Sequence, residues 1–408
     1  MRVSGTRSRM GAIGGAVVVG VSLAACGSSS PRAQNGDTLS PKQASAYAKS
    51  EFTAQDREAA TVLAPEAGSF LAGMQTVTPL GSTTPADGDT LPYGMWPVTA
   101  TVGSLHAGDV LVDNDADASG QLGSGTSIVD VEPNGSVRTF ADIPRTVAGC
   151  PGGVGLTSAL VQLRTGWVVV GSLPTQNGKV STAGQGCLLV LSSTGALVGT
   201  ISGPYIDGPW GAALRDDGST ATLFVSNTLV GIKGSTTAPV RQGDVIRLTL
   251  SQSATSKPTV TAEAEVANGF PEQVDPSVLI TGPSGLTLGS SGTLYVADTV
   301  GDRIVSIAGA LTASGPAGTG TTLSQGGQLA HPLGLALAPD GDLLATNATN
   351  GKIVEVTASG RQVGEYYADQ DVDQDPPGAD ELWGLAVNRA GTGVLFAKDE
   401  AGTLDLLH

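Results

Sequence analysis

Residues Pro283 to Ile307, PSGLTLGSSGTLYVADTVGDRIVSI, constrain the fold more tightly than any other stretch of the chain. Three short apolar runs, GLTL, TLYVA and RIVSI, are separated by a Gly/Ser turn and an Asp/Gly turn, the pattern of three consecutive antiparallel strands. Strands this short cannot bury a face alone. The same grammar returns at Pro332 to Val356 and, degraded, at Leu382 to Leu407, so the segment is one copy of a repeat whose neighbours supply its core. A unit made only of strands and tight turns, recurring about every 50 residues, predicts propeller blades in preference to a sandwich or an all-β solenoid.

Aligned on the ends of their second strands, the copies read VLVDN (Asn114), WVVVG (Gly171), LFVSN (Asn227), LYVAD (Asp298), LLATN (Asn347) and LFAKD (Asp399), spaced 49 to 71 residues apart. Six blades therefore account for the chain from about residue 90 onward, their first strands being PVTATV, GVGLTSAL, WGAAL, GLTL, GLALA and WGLAV. The sixth copy has no outer strand after Leu407, and an open ring would expose two unpaired edges. Leu71 to Leu80 (LAGMQTVTPL), just ahead of the first blade, is expected to add itself as the missing strand, so that residues 71–408 form an all-β, six-bladed β-propeller. Gly292 to Ile307 and, less fully, Gly341 to Val356 resemble the NHL-type propeller blade, with Pro and Gly before the inner strand and a G-x-L-Y-V-A-D-T strand after it.

The first 26 residues have a different logic. Arg2, Arg7 and Arg9 precede a short Gly/Ala/Val-rich run from Gly11 to Leu23, which ends in Leu23, Ala24, Ala25 and Cys26. This resembles a bacterial lipoprotein signal with its lipobox; the alternative is an ordinary secretory signal that happens to contain a cysteine. The resemblance implies removal of residues 1–25, a diacylated Cys26, and a place in the bacterial cell envelope, held to membrane lipid and facing away from the cytoplasm. Residues 26–39 read as a flexible Gly/Ser/Pro tether. Residues 40–70 begin with Ser40 as a cap ahead of Pro41 and have helix-compatible composition, which predicts an accessory helix or stalk.

Three of the 21 basic residues lie in the leader, leaving 18 against 37 acidic ones and a formal charge of −19. A surface of that sign repels nucleic acid, and no nucleic-acid motif is present. With Cys26 committed to lipid, Cys150 and Cys187 remain, at the same end of the second blade. In an oxidising compartment a disulfide is expected over two free buried thiols. His106, His331 and His408 are too scattered to make a zinc site with them.

Loop lengths carry the functional reading. Turns on one side of the disc are short (GSSG, PDG, SSTG), whereas the connections on the other side are long, and the elaborated face is expected to bind a protein or small-molecule ligand. On that side lie the strand-end residues Asn114, Asn227, Asp298, Asn347 and Asp399, a candidate oxygen ring for a hard cation such as calcium, with turn capping as the alternative. Trp96, Trp210 and Trp383 are expected there as ligand-face aromatics. The carboxylate and amide ring resembles, in architecture and residue type, the calcium-centred channels of gluconolactonase and paraoxonase propellers. His331, in AHPLG, is similar in type to the catalytic histidine of streptogramin lyase but reads as an ordinary start to a blade. The loop Asp369 to Glu381 departs from an EF-hand at Gln374 and Asp380, and reads as a solvated acidic loop. Asp113, Asp115 and Asp117 form a similar, weaker cluster. Two functions remain: a surface-anchored binding or scaffold module, and a calcium-dependent lactonase- or esterase-like hydrolase at the channel mouth, which would need a base poised beside the metal.

Overall fold

The computed structural model describes residues 63–408 apart from 230, 231, 233–237, 276, 277 and 371–375. The leader, Cys26, the tether and the expected helix as far as residue 62 lie outside the described residues, as do Asp371, Asp373 and Asp375. From Leu63 to Phe70 the described part of the stalk contains no α-helix, only the start of a 3-10 turn at Phe70–Gly73.

Among the described residues, 25 strands form six antiparallel sheets arranged as a six-bladed propeller. The closing strand β1 is Val77–Ser82. Blade 1 follows with β2 (Thr90–Pro97), β3 (Val110–Ala116), β4 (Ser127–Val131) and β5 (Val137–Asp142), and blade 2 with β6 (Leu156–Gln162), β7 (Val168–Ser172), β8 (Cys187–Leu191) and β9 (Leu197–Ile201). Blade 3 has five strands: β10 (Pro209–Asp216), β11 (Thr220–Asn227), the long β12 (Val240–Ser251) and β13 (Thr259–Asp275), and the short β14 (Leu279–Thr281). Blade 4 comprises β15 (Pro283–Leu288), β16 (Leu294–Asp298), β17 (Arg303–Ile307) and β18 (Thr321–Gln325). Blade 5 comprises β19 (Pro332–Leu337), β20 (Leu343–Asn347), β21 (Lys352–Val356) and β22 (Gln362–Tyr367). Blade 6 holds β23 (Leu382–Val387), β24 (Val394–Lys398) and β25 (Thr403–Leu407).

Both faces of each middle strand are buried, which is why those strands read as continuous apolar runs. In β7, Val168 and Val170 face the core shared with blade 1 while Val169 faces the core shared with blade 3. Six such cores alternate with the blades. The ring closes where Leu395 and Leu404 of blade 6 meet Val112 and Val129 of blade 1.

Each inner strand breaks its ladder near the long-loop end, between Pro92 and Met95, Leu156 and Leu160, Pro209 and Ala212, Pro283 and Leu286, Pro332 and Leu335, and Leu382 and Leu385. Second-strand side chains satisfy the released backbone groups. Ser226 Oγ accepts from Gly211 N–H (2.9 Å) and donates across to Ser284 C=O in the next blade (2.8 Å). Thr346 Oγ1 does the same between Gly334 N–H (2.8 Å) and Trp383 C=O (3.1 Å). Neighbouring inner strands approach so closely here that a Cβ on Gly211, Gly285 or Gly334 would sit 2.1, 2.3 or 2.3 Å from the next blade's carbonyl oxygen. The Pro-x-Gly motif of the repeat is therefore a packing requirement.

The closing strand pairs with β25 from Val77 opposite Leu407 to Ser82 opposite Thr403, so it starts later than Leu71 and extends past Leu80. None of its six residues is fully buried, although Val77 and Leu80 pack against the flanking cores, and the deepest burial comes from the 3-10 turn before it. Leu71 is fully buried in the core between blades 5 and 6, and the Glu355 carboxylate receives the Phe70 and Leu71 N–H groups at 2.7 and 2.9 Å. Cys150 and Cys187 form a disulfide, tying the segment before β6 to the start of β8 inside the core between blades 1 and 2.

The close approach of inner strands makes a direct prediction. Gly334→Ala should lower stability in urea unfolding by about 1–3 kcal/mol, the range for forcing atoms into a packed interior. Gly73→Ala, with nothing within 4 Å of the new methyl, should leave it unchanged.

Candidate functional site

The inner strands enclose a cavity of about 450 Å³. Met95, Leu160, Ala212, Leu286, Leu335 and Leu385, the residues that resume the ladder after each break, all line it. Toward the long loops the cavity is closed by aromatic rings. Tyr93 stacks on Trp383 (centroids 4.0 Å apart, planes 13° apart) and meets Trp210 edge-on at 6.0 Å. Leu122, Leu173 and Leu229 from the long connections and Ile280 from β14 pack onto this plug. At the other end the lining residues Thr99, Leu288, Leu337 and Val387 belong to the short-turn side, where Arg389 is the single charged lining residue and donates to Thr99 C=O at 2.6 Å.

Trp210 and Trp383, expected as ligand-face aromatics, do lie toward the long loops but are buried, 1% and 3% exposed, and touch the cavity from its closed end. Trp96 also lines the cavity but at its other end, near the end of β2 opposite Leu111 and toward the short turns. The first strand of blade 1 is Thr90–Pro97, not the expected PVTATV, and Tyr93-Gly94 takes the place that Trp210-Gly211 and Trp383-Gly384 hold in their blades. Pro92-Tyr93-Gly94 was the sequence signal for it.

The strand-end residues are tied into their own blades. Asn114 Nδ2 donates to Thr83 C=O and Ser127 Oγ, Asn227 Nδ2 to Tyr205 C=O and Asp244 Oδ1, and Asn347 Nδ2 to Gln328 C=O and Asn350 Oδ1. Each amide thus joins the connection entering its blade to the third strand or the turn before it. Asp298 pairs with Arg303 at 2.6 Å, and burial still raises its pKa against that pairing. In register the equivalents in blades 2 and 6 are Ser172 and Lys398, so Asp399 stands one residue beyond the series.

That offset places Asp399 among other carboxylates. Burial, followed by Glu381, Asp115, Asp380 and Glu400, raises its pKa well above the usual range. Asp115, fully buried on β3 and accepting from Gly123 N–H at 3.0 Å, is pushed by burial to about 7. Tyr93 is raised by burial and then by Asp115, Asp399, Asp275 and Asp380, so its hydroxyl stays protonated beside them. Tyr93 Oη, Asp115 Oδ1 and Asp399 Oδ1 are buried without a protein partner, and this donor set suits a hard cation. Asp113 is instead part of the inner-strand zipper, accepting from Gly94 N–H at 2.8 Å, and Asp117 pairs with Arg145 at the rim.

A second acidic group lies in blade 3. Glu272 is raised by burial, then by Asp244 and Asp207, to about 8, and burial takes Asp244 to about 7. A third, Asp340, Asp342 and Glu355, lies where Glu355 already holds the Phe70 and Leu71 amides. The histidines are placed apart from all three groups. His408 bonds to Thr78, His106 faces Asp109, and His331, at φ 48°, receives Ala348 N–H on its carbonyl where blade 5 begins.

No family model matches the chain, and no curated protein does. Solved structures do match. A gluconolactonase from Xanthomonas campestris is 13% identical, with 85% of this chain and 94% of that one covered and a TM-score of 0.53. A putative gluconolactonase is 14% identical (85% and 97% covered, TM-score 0.51), and luciferin-regenerating enzyme is 10% identical (82% and 95% covered, TM-score 0.50). At such identities the likeness is one of fold.

Raised carboxyl pKa values fix the sign of a pH dependence. Asp115, Asp244 and Glu272 hold their protons longer in the folded than in the unfolded chain, so the native state binds more protons between about pH 4 and pH 8 and stability falls as pH rises through that window. In the presence of a chelator, the melting temperature should be higher at pH 5 than at pH 8. Equal values would mean that these groups ionise normally.

Proposed function

We propose that the protein is a surface-anchored binding module that takes an elongated apolar ligand with an anionic head into the channel from the short-turn side. The observation that carries this reading is the cavity: about 450 Å³, walled by apolar side chains, ended by stacked aromatics and marked at its open end by one guanidinium. Its volume falls within the range of small-molecule pockets, about 300–1,000 Å³. On a chain this acidic, Arg389 is a local exception that favours a carboxylate head. The lipobox resemblance supports the anchor, with the acylated Cys26 holding the propeller at a membrane surface in the cell envelope.

The second reading is a calcium-dependent lactonase- or esterase-like hydrolase at the long-loop mouth. It is supported by the buried Asp115, Asp399 and Tyr93, whose free oxygens suit a calcium ion. The leucines of the long connections lie over the plug at that end, which favours the first reading.

Dodecanoate titrated calorimetrically should bind with one site per chain. Ala212→Phe, which fills the smallest position of the apolar ring, should abolish binding with little change in melting temperature. Arg389→Ala should weaken dodecanoate about tenfold, the value of one charge-assisted hydrogen bond, and leave dodecanol unaffected. Wild-type binding by the Ala212→Phe variant would place the ligand outside the channel. Cys26→Ala expressed in the native host should move the protein from the membrane to the soluble fraction. Unchanged partition into detergent would remove the anchor from the reading.

A further inference from the structure

We infer that the long-loop end of blade 3 is a binding site for a hard divalent cation, calcium by its donor set, built from Glu272, Asn227, Thr228 and Asp244. The site is separate from the channel mouth, and its central residue is Glu272. This side chain on β13 is 0% exposed, and neither carboxylate oxygen has a protein partner. A buried carboxylate with no donor on either oxygen has two ways to persist, as a neutral acid or bound to a cation.

The groups around it are oxygen donors. Glu272 Cβ and the Thr228 side chain press on the same point from two directions: a Cβ added to Gly282 would lie 3.1 Å from Glu272 Cβ and 3.0 Å from Thr228 Cγ2. Thr228 Oγ1 is buried and without a partner. Asn227, the residue before it, commits both Nδ2 protons, to Tyr205 C=O (3.0 Å) and Asp244 Oδ1 (2.8 Å). Its orientation is thereby set, and Oδ1 is left buried with nothing to accept. Asp244 and the half-buried Asp207 add negative charge close enough to act on Glu272.

Among the described residues no cation acts on Glu272, and Arg247 of β12 donates to Ala310 C=O at 2.7 Å. A bidentate Glu272, the Asn227 and Thr228 oxygens and one Asp244 oxygen supply five ligands. That falls short of calcium's usual six to eight, and solvent completes the shell. Magnesium, which demands a stricter octahedron, fits such an irregular set less well.

The test uses full-length protein stripped with a chelator and titrated with calcium chloride by calorimetry and thermal unfolding. Wild type should bind calcium and melt several degrees higher at roughly millimolar calcium than without it, by mass action on the native state. Glu272→Gln should lose that shift and, relieved of the cost of taking up a proton on folding, should melt higher than wild type in chelator at pH 7. A merely structural glutamate would instead lose stability in both conditions. Thr228→Val, which keeps the side-chain shape and removes a buried hydroxyl without a partner, should weaken calcium about tenfold and should not lower the metal-free melting temperature. The double variant Asp115→Asn with Asp399→Asn should keep the blade-3 shift. Calcium binding that survives Glu272→Gln but vanishes in that double variant would put the ion at the channel mouth and overturn the proposal. Absence of any calcium effect in wild type would also overturn it, leaving Glu272 and Asp244 as carboxyls that hold protons.

Discussion

The contact on which this molecule depends is the near-touching of neighbouring inner strands at the long-loop end. Six strands cannot be drawn to one axis without bringing backbone against backbone, so each strand drops out of its ladder there and presents glycine, or serine in blade 2, to the next. The amides freed by that break would be unsatisfied in a dry interior. Ser226 and Thr346 solve the problem twice over, accepting from their own blade and donating to the next, and Ser158, on the inner strand of blade 2, donates to Trp210 C=O of blade 3. The zipper therefore joins blades by hydrogen bonds where the inter-blade cores join them by apolar contact.

Asp113 is the variant member of this series. It takes a hydroxyl's position in blade 1, accepts from Gly94 as Ser226 accepts from Gly211, and is driven toward the neutral acid by burial. A neutral carboxyl offers the same pair of functions as a hydroxyl, one acceptor and one donor. The aspartate series that the sequence shows at 113, 115 and 117 thus splits into a structural residue, a member of the channel-mouth cluster and a rim ion pair.

The fold was largely legible because its determinants are local and repeated. Strand runs, turn glycines and the Pro-x-Gly step recur in register, and the missing sixth outer strand pointed to the segment that closes the ring. The disulfide was legible for the same reason, since strand order alone put Cys150 and Cys187 at one end of one blade. Site geometry was less legible because it turns on single-residue offsets. Reading blade 1 from Pro97 rather than Thr90 put Trp96 where Tyr93 belongs, and aligning LFAKD by its last letter hid that Lys398, not Asp399, matches Asn347. Glu272 lies in the part of β13 that runs beyond the length of the other blades' outer strands, so no periodic signal marked it.

A strand-end position becomes chemically useful only where its structural duty leaves something over. Asparagine at 114, 227 and 347 caps the incoming connection with its amide protons and carries no charge, so its burial is cheap. Aspartate at 298 carries charge and is given Arg303. Asp399, shifted one residue out of register, has neither an amide's neutrality nor an arginine's compensation, and the groups acting most strongly on it are other carboxylates. The same test singles out Asn227, whose two protons are spent while its oxygen is left buried with nothing to accept. Uncompensated oxygen, more than acidity as such, distinguishes the few candidate ligands from the many carboxylates of this chain, because a side chain already satisfied by the fold has no free energy to offer a ligand.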